Sequence, residues 1–201
     1  LDTPTRGFFT NLDQTRRVGA EASLTLVPFA NRTALTMNGT LGWTRATFES
    51  TALLSAPFID DDDDPADPDD EDELTPPEVE PGDRFPMVPS LTGSLGVRYD
   101  TDQNVFQLNG SWVGRQFLVG DEGNEGTARR LPRYALLNAR VERRLGDAWI
   151  YLRVSNLLDS DFLAYGVVSE NLRGPNLDVE RFLTPGQPRR FTAGVRVRLQ
   201  G

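Results

Sequence analysis

At 201 residues the chain has the length of one or two domains, and with 38% hydrophobic residues and a mean hydropathy of -0.42 it is too polar for a helical membrane protein. No stretch approaches the roughly 20 consecutive apolar residues a spanning helix needs. There is no Cys and no His, which removes disulfides, thiolate and His-ligated metal sites, and Ser-His or Cys-His catalysis.

The net charge of -9 is local rather than general. Fourteen of the 30 acids fall between Asp60 and Asp83 with no base among them, so the rest of the chain holds 16 acids against 21 bases, or +5. The chain opens on Leu1 without a charged-then-apolar leader, which reads as a processed product or a fragment.

Seven segments alternate with a period of two. Val18, Ala20, Ala22, Leu24 and Leu26 alternate with Arg17, Gly19, Glu21, Ser23 and Thr25. Leu35, Met37, Gly39, Leu41 and Trp43 do so with Thr36, Asn38, Thr40, Gly42 and Thr44. Next come Leu91, Gly93, Leu95, Val97 and Tyr99 against Thr92, Ser94, Gly96 and Arg98, then Phe106, Leu108, Gly110 and Trp112 against Gln107, Asn109 and Ser111. Leu137, Ala139 and Val141 oppose Asn138, Arg140 and Glu142; Ile150, Leu152 and Val154 oppose Tyr151, Arg153 and Ser155. The last row, Phe191, Ala193, Val195, Val197 and Leu199, opposes Arg190, Thr192, Gly194, Arg196 and Arg198. No segment carries a helical apolar stripe.

Connections alternate as regularly. Residues 28–33, 100–104 and 146–147 are short and rich in Asn, Asp, Gly and Pro, the residues of tight turns. Residues 50–89, 120–132 and 157–189 are long, and long connections tend to carry function. Short turns on one side and long loops on the other predict an all-β, antiparallel up-and-down transmembrane barrel wall, with the short turns periplasmic and the long loops extracellular. The polar rows hold Arg, Glu and Asn, which are badly placed in a dry sandwich core and well placed in a wet lumen. Trp43, Phe48, Tyr99, Phe106 and Trp112 lie near strand ends and are expected in interfacial girdles.

Four stretches resemble one family. Thr15-Arg16-Arg17-Val18-Gly19-Ala20-Glu21 is similar to its "TRRxGxE" strand. The segment from Leu131-Pro132-Arg133-Tyr134 to Arg140 resembles "LPGYTLLDARL". Asn156-Leu157-Leu158-Asp159, with Phe162 after it, looks like its run of Asn-Leu, a hydrophobic residue, Asp and, three on, an aromatic. Thr184-Pro185-Gly186-Gln187-Pro188-Arg189-Arg190-Phe191 and the residues to Arg198 resemble the closing "PGxPRxFxxGVRxxF" strand. Together they resemble the C-terminal β-barrel of bacterial TonB-dependent outer-membrane receptors.

That resemblance implies about seven strands of a barrel of roughly 22, residues 1–201 forming its C-terminal part and the plug domain being absent. It implies multi-pass residence in the bacterial outer membrane, contact with lipid and lipopolysaccharide, and partnership with the receptor's own plug domain and the TonB complex. The ligand it implies is a scarce nutrient, a ferric siderophore or similar iron chelate. Neither a cofactor, a catalytic activity nor nucleic acid is expected. The family generally finishes on an aromatic residue, whereas Gln200-Gly201 follow Leu199 here.

Two clusters are candidate sites. Residues 50–89 form an acidic loop, expected to be disordered and extracellular, in which Asp62, Asp64, Asp67 and Asp69 are only weak candidates as cation ligands. They lack the spacing of a Ca²⁺ loop, and Pro65 and Pro68 interrupt them. The lumen-facing set is Arg17, Glu21, Arg98, Asn138, Arg140, Glu142, Arg153, Arg196 and Arg198, whose arginines are expected to pair with Glu21, Glu142 or the plug, or to meet an anionic ligand. Gly120, Gly123 and Gly126 are evenly spaced but follow no βαβ strand, which argues against a phosphate cradle. Rival readings are a passive porin-like channel, a barrel hydrolase with acid-only chemistry, and a soluble β-sandwich.

Overall fold

Period-two alternation becomes a ladder register in the computed structural model, which describes residues 14–28, 34–53, 78–124, 130–170 and 179–197. In chain order these form β1 (Thr15–Leu26), β2 (Ala34–Phe48), β3 (Ala52–Leu53), β4 (Glu78–Val79), β5 (Leu91–Asp100), β6 (Asn104–Val113), β7 (Gln116–Phe117) and β8 (Arg130–Leu131). Then follow β9 (Tyr134–Leu145), β10 (Ala148–Ser155), β11 (Leu163–Glu170), β12 (Val179–Pro185) and β13 (Arg190–Val197). Among the described residues there is no helix.

One antiparallel sheet takes seven strands in the order β1-β2-β5-β6-β9-β10-β13, the seven that the alternation predicts. The turns are built as their residues require. Leu145 faces Ala148 with only Gly146 and Asp147 between them, and Gly146 alone of the two is left-handed, at φ +62. That is the sign pattern of a type II′ turn, whose twist matches the flanking strands. Between β5 and β6, Thr101 N–H donates to the Asn104 carbonyl at 2.8 Å, and Asn104 N–H donates to Thr101 Oγ1 at 2.9 Å.

Register keeps every apolar row on one face. Ala20 lies opposite Trp43, Leu41 opposite Gly93, Leu95 opposite Gly110 and Leu108 opposite Ala139. Val141 then faces Leu152, which faces Ala193. A one-residue slip in any strand would turn its whole row over. This face is open: Leu24 is 60% exposed, Leu95 59% and Phe191 65%. Among the described residues no second sheet covers it, whereas a β-sandwich requires one.

The most deeply buried side chains, Leu118, Leu131 and Val79, lie in the connections rather than in the seven-stranded sheet. The described parts of the long connections carry regular structure of their own. They contain three further two-stranded sheets, β3 with β4, β7 with β8, and β11 with β12. Residues 54–77, which hold Asp62, Asp64, Asp67 and Asp69, lie outside the described residues, as does Arg198.

Candidate functional site

The polar face is layered. Following the register across the strands, a hydroxyl row runs through Ser23, Thr40, Ser94 and Ser111. Towards the short turns comes a row of Thr25, Asn38, Gly96, Asn109 and Asn138, then one of Thr36, Arg98, Gln107, Arg140, Arg153 and Thr192. The next row holds Asp100, Val105, Glu142 and Tyr151. Of the residues expected to face a lumen, Arg17, Glu21, Arg98, Asn138, Arg140, Glu142, Arg153 and Arg196 share this one face of the sheet by register.

Charges in the arginine row are compensated unevenly. Arg98 grips Asp100 through Nε to Oδ2 at 2.7 Å and Nη2 to Oδ1 at 2.6 Å. Glu142 is only 7% exposed and serves two cations, Arg140 Nε at 2.8 Å and Arg196 Nη2 at 3.3 Å. The Arg140 approach is an ion pair outside hydrogen-bond geometry. Arg140 also lies over the Tyr151 ring at 4.6 Å. Arg153 stands directly opposite Arg140, a like-charge arrangement that costs stability. Glu21 sits opposite Gly42, beside Thr92 rather than in the arginine row, and pairs with no arginine among the described residues.

The girdle expectation needs one correction. Trp43, Tyr99, Phe106 and Trp112 share the apolar face, but Phe48 shares the polar face with Ala46 and is 3% exposed. It stacks on Phe85 with ring centroids 4.3 Å apart. Its place in the period, not its nearness to a strand end, decides its face. Above Trp43 the apolar face itself turns polar: Arg45 follows, and with Arg16, Thr47 and Glu49 it lines a groove of about 460 Å³.

Beyond the long-connection ends of the strands, the connections form one body. Leu118, Leu131 and Val168 make a buried cluster with Met87 and Leu163 packed against it, so each of the three long connections contributes. Backbone bonds tie them: Met87 N–H to the Phe117 carbonyl at 3.0 Å, Val119 N–H to Gly166 at 3.3 Å, and Val168 N–H to Val119 at 2.7 Å. The Asn124 side chain accepts from Arg84 N–H at 2.9 Å and donates to the Arg84 carbonyl at 3.0 Å. Arg17 reaches from the wall to the Phe85 ring at 5.3 Å. Sequence reasoning missed this cap, because its contacts join residues distant along the chain. It also missed Asp100, which reads as a turn residue.

The family description "TonB dependent receptor-like, beta-barrel" matches residues 1–157. The chain belongs to the TonB-dependent receptor β-barrel family. Its solved structural neighbours include the siderophore receptor PiuA from Acinetobacter baumannii, at 13% identity and a TM-score of 0.60, with 90% of this chain and 21% of that one covered. The ferric citrate transporter FecA in its unliganded form matches at 20% identity and a TM-score of 0.58, covering 90% and 24%. The ferric yersiniabactin uptake receptor FyuA from Yersinia pestis matches at 19% and 0.56, covering 90% and 23%. At these identities the likeness is one of fold, and this stretch of TonB-dependent receptor barrel spans under a quarter of each solved chain. No curated protein matches the sequence.

Proposed function

We propose that this chain is wall from an outer-membrane receptor that takes up a scarce nutrient, a ferric siderophore or related iron chelate, using energy delivered through TonB. Binding and transport, not turnover, is the work of the site. The observation that carries the reading is the two-faced register of a sheet belonging to the receptor family. On β2 the apolar row runs from Leu35 to Trp43, eight residue steps. At about 3.4 Å per residue and a tilt near 40° that is roughly 21 Å, close to the ~25 Å apolar band of an outer-membrane barrel. A soluble protein leaving such a face in water would forgo roughly 1.5–3 kcal/mol for each large side chain exposed. In lipid that cost disappears.

The polar face then lines the lumen, with the arginine row near the periplasmic end and the cap at the extracellular mouth. Under this reading the plug domain and the remaining strands come from parts of the receptor outside this chain. Arg98, Arg140, Arg153 and Arg196 face either the plug or an anionic chelate. Lipid and lipopolysaccharide surround the apolar face.

The test is uptake by cells carrying the full receptor, with radioiron presented as citrate, catecholate and phenolate chelates, in strains with and without TonB. We expect uptake of at least one chelate and its loss without TonB. Chelate uptake that persists without TonB, together with passage of unrelated small solutes, would overturn the reading in favour of a passive channel.

A further inference from the structure

Three of the stretches singled out in the sequence meet at one point. Asn156 is 4% exposed and has φ +50, the left-handed region that Asn tolerates better than most residues. Its backbone N–H donates to Asn138 Oδ1 at 3.0 Å, at the end of the asparagine row on the polar face. Its Oδ1 accepts from Ser160 N–H at 2.9 Å, and its Nδ2 donates to the carbonyls of Ser160 at 2.9 Å and Gln187 at 3.2 Å. Ser160 lies just before β11 and Gln187 just after β12. A single side-chain amide therefore ties both feet of the β11–β12 hairpin to the wall.

Two braces flank it. Asp159 Oδ1 accepts from Arg189 N–H at 2.8 Å, and its Oδ2 takes Arg189 Nη2 at 3.1 Å. The Phe162 ring lies 4.7 Å from that of Tyr134 and covers Gly186, where a Cβ would run into it. Gly186 N–H donates to the Phe162 carbonyl at 2.7 Å. The braces and the amide differ in weight. The Asp159 and Arg189 side chains are 46% and 42% exposed, so solvent screens their attraction. Asn156 is buried, and its loss leaves two carbonyls without their donor.

We propose that Asn156 is a positioning residue. It seats the β11–β12 hairpin on the wall, and through the Val168 N–H bond to Val119 and the Leu118 cluster it sets the place of the whole cap. The consequence for ligand capture rests on the receptor reading above; the positioning itself does not. The arrangement makes the geometry of the mouth depend on one buried amide at the junction of wall and cap.

The test compares Asn156→Asp with Asp159→Asn in the full receptor in detergent, with no chelate present. Asp has the shape of Asn but cannot donate, so a carboxylate would face the Ser160 and Gln187 carbonyls. Hydrogen exchange read by mass spectrometry should rise on the order of tenfold across residues 163–170 and 179–185 in Asn156→Asp, and less in Asp159→Asn. Exchange in residues 104–113 and 134–145 should stay unchanged. Asn138→Ala, which removes only the wall-side acceptor, should reproduce the pattern if Asn156→Asp fails to assemble. Unchanged hairpin exchange, or an equal rise in the wall, overturns the proposal. Because no chelate enters the measurement, a failed uptake assay leaves it standing and its own failure leaves the receptor reading standing.

Discussion

Glu142 is the single carboxylate between two guanidinium groups, and burial decides what each pairing is worth. The Arg196 side chain is 62% exposed, so its share is screened, whereas that of Arg140 is 22% exposed and faces Arg153 as well. Replacing Glu142 with Gln leaves Arg140 opposite a like charge with only the Tyr151 ring to offset it. We expect Glu142→Gln to cost about 1–3 kcal/mol and Arg196→Ala clearly less. Urea unfolding of the full receptor in lipid vesicles measures both, and equal effects would show that Arg140 does not carry the pair. Which face each of these residues occupies was legible in the sequence, since parity along a strand needs only local information. Their partners were not legible, because pairing depends on cross-strand register and on rotamers. Arg98 shows the difference: its partner Asp100 shares its strand and face two residues on, yet reads as the start of a turn.

At the level of elements, the seven wall strands were legible because each has one consistent environment on each side over its central span. The strands within the connections have no such constancy. β11 reads Leu163, Ala164, Tyr165, Gly166, Val167, Val168, with apolar residues at both parities, and its neighbours change from residue to residue. Val168 packs into the Leu118 and Leu131 cluster while Tyr165 is 44% exposed. The cap is therefore held by packing that no periodicity announces. Leu118 is 1% exposed, and truncation to Ala opens a cavity among three connections. We expect Leu118→Ala to cost about 2–5 kcal/mol of local stability. The loss should be confined to the cap. Limited proteolysis should cut the connections of the variant faster than those of the parent, while the folded wall keeps its heat-modifiable migration in gels. Collapse of the wall together with the cap would show that the two are one cooperative unit.

At the scale of the whole molecule, the sheet has a beginning and an end that do not meet. β1 and β13 are the outer strands of the seven-strand order, and every residue of β1 is exposed. Each edge presents a row of unpaired N–H and C=O groups, which templates pairing with another chain. In a receptor barrel those groups are satisfied by neighbouring strands, which closes the sheet. Cut out of that context, the chain combines two open edges with an exposed apolar face, and both drive association. Burial within the sheet is too sparse to oppose it, since the most fully buried apolar side chains among the described residues, Leu118, Leu131 and Val79, lie in the connections. We therefore expect residues 1–201, refolded alone from urea into buffer, to give β-rich aggregates by light scattering and circular dichroism. In detergent they should stay dispersed without reaching a single monomeric species in sedimentation. A soluble monomer that unfolds reversibly in one step would mean that the edges are protected and that the chain is an independent fold. The decisive variable is edge pairing rather than hydrophobicity. Supplying further strands of the receptor should improve dispersal only when enough are present to pair both open edges.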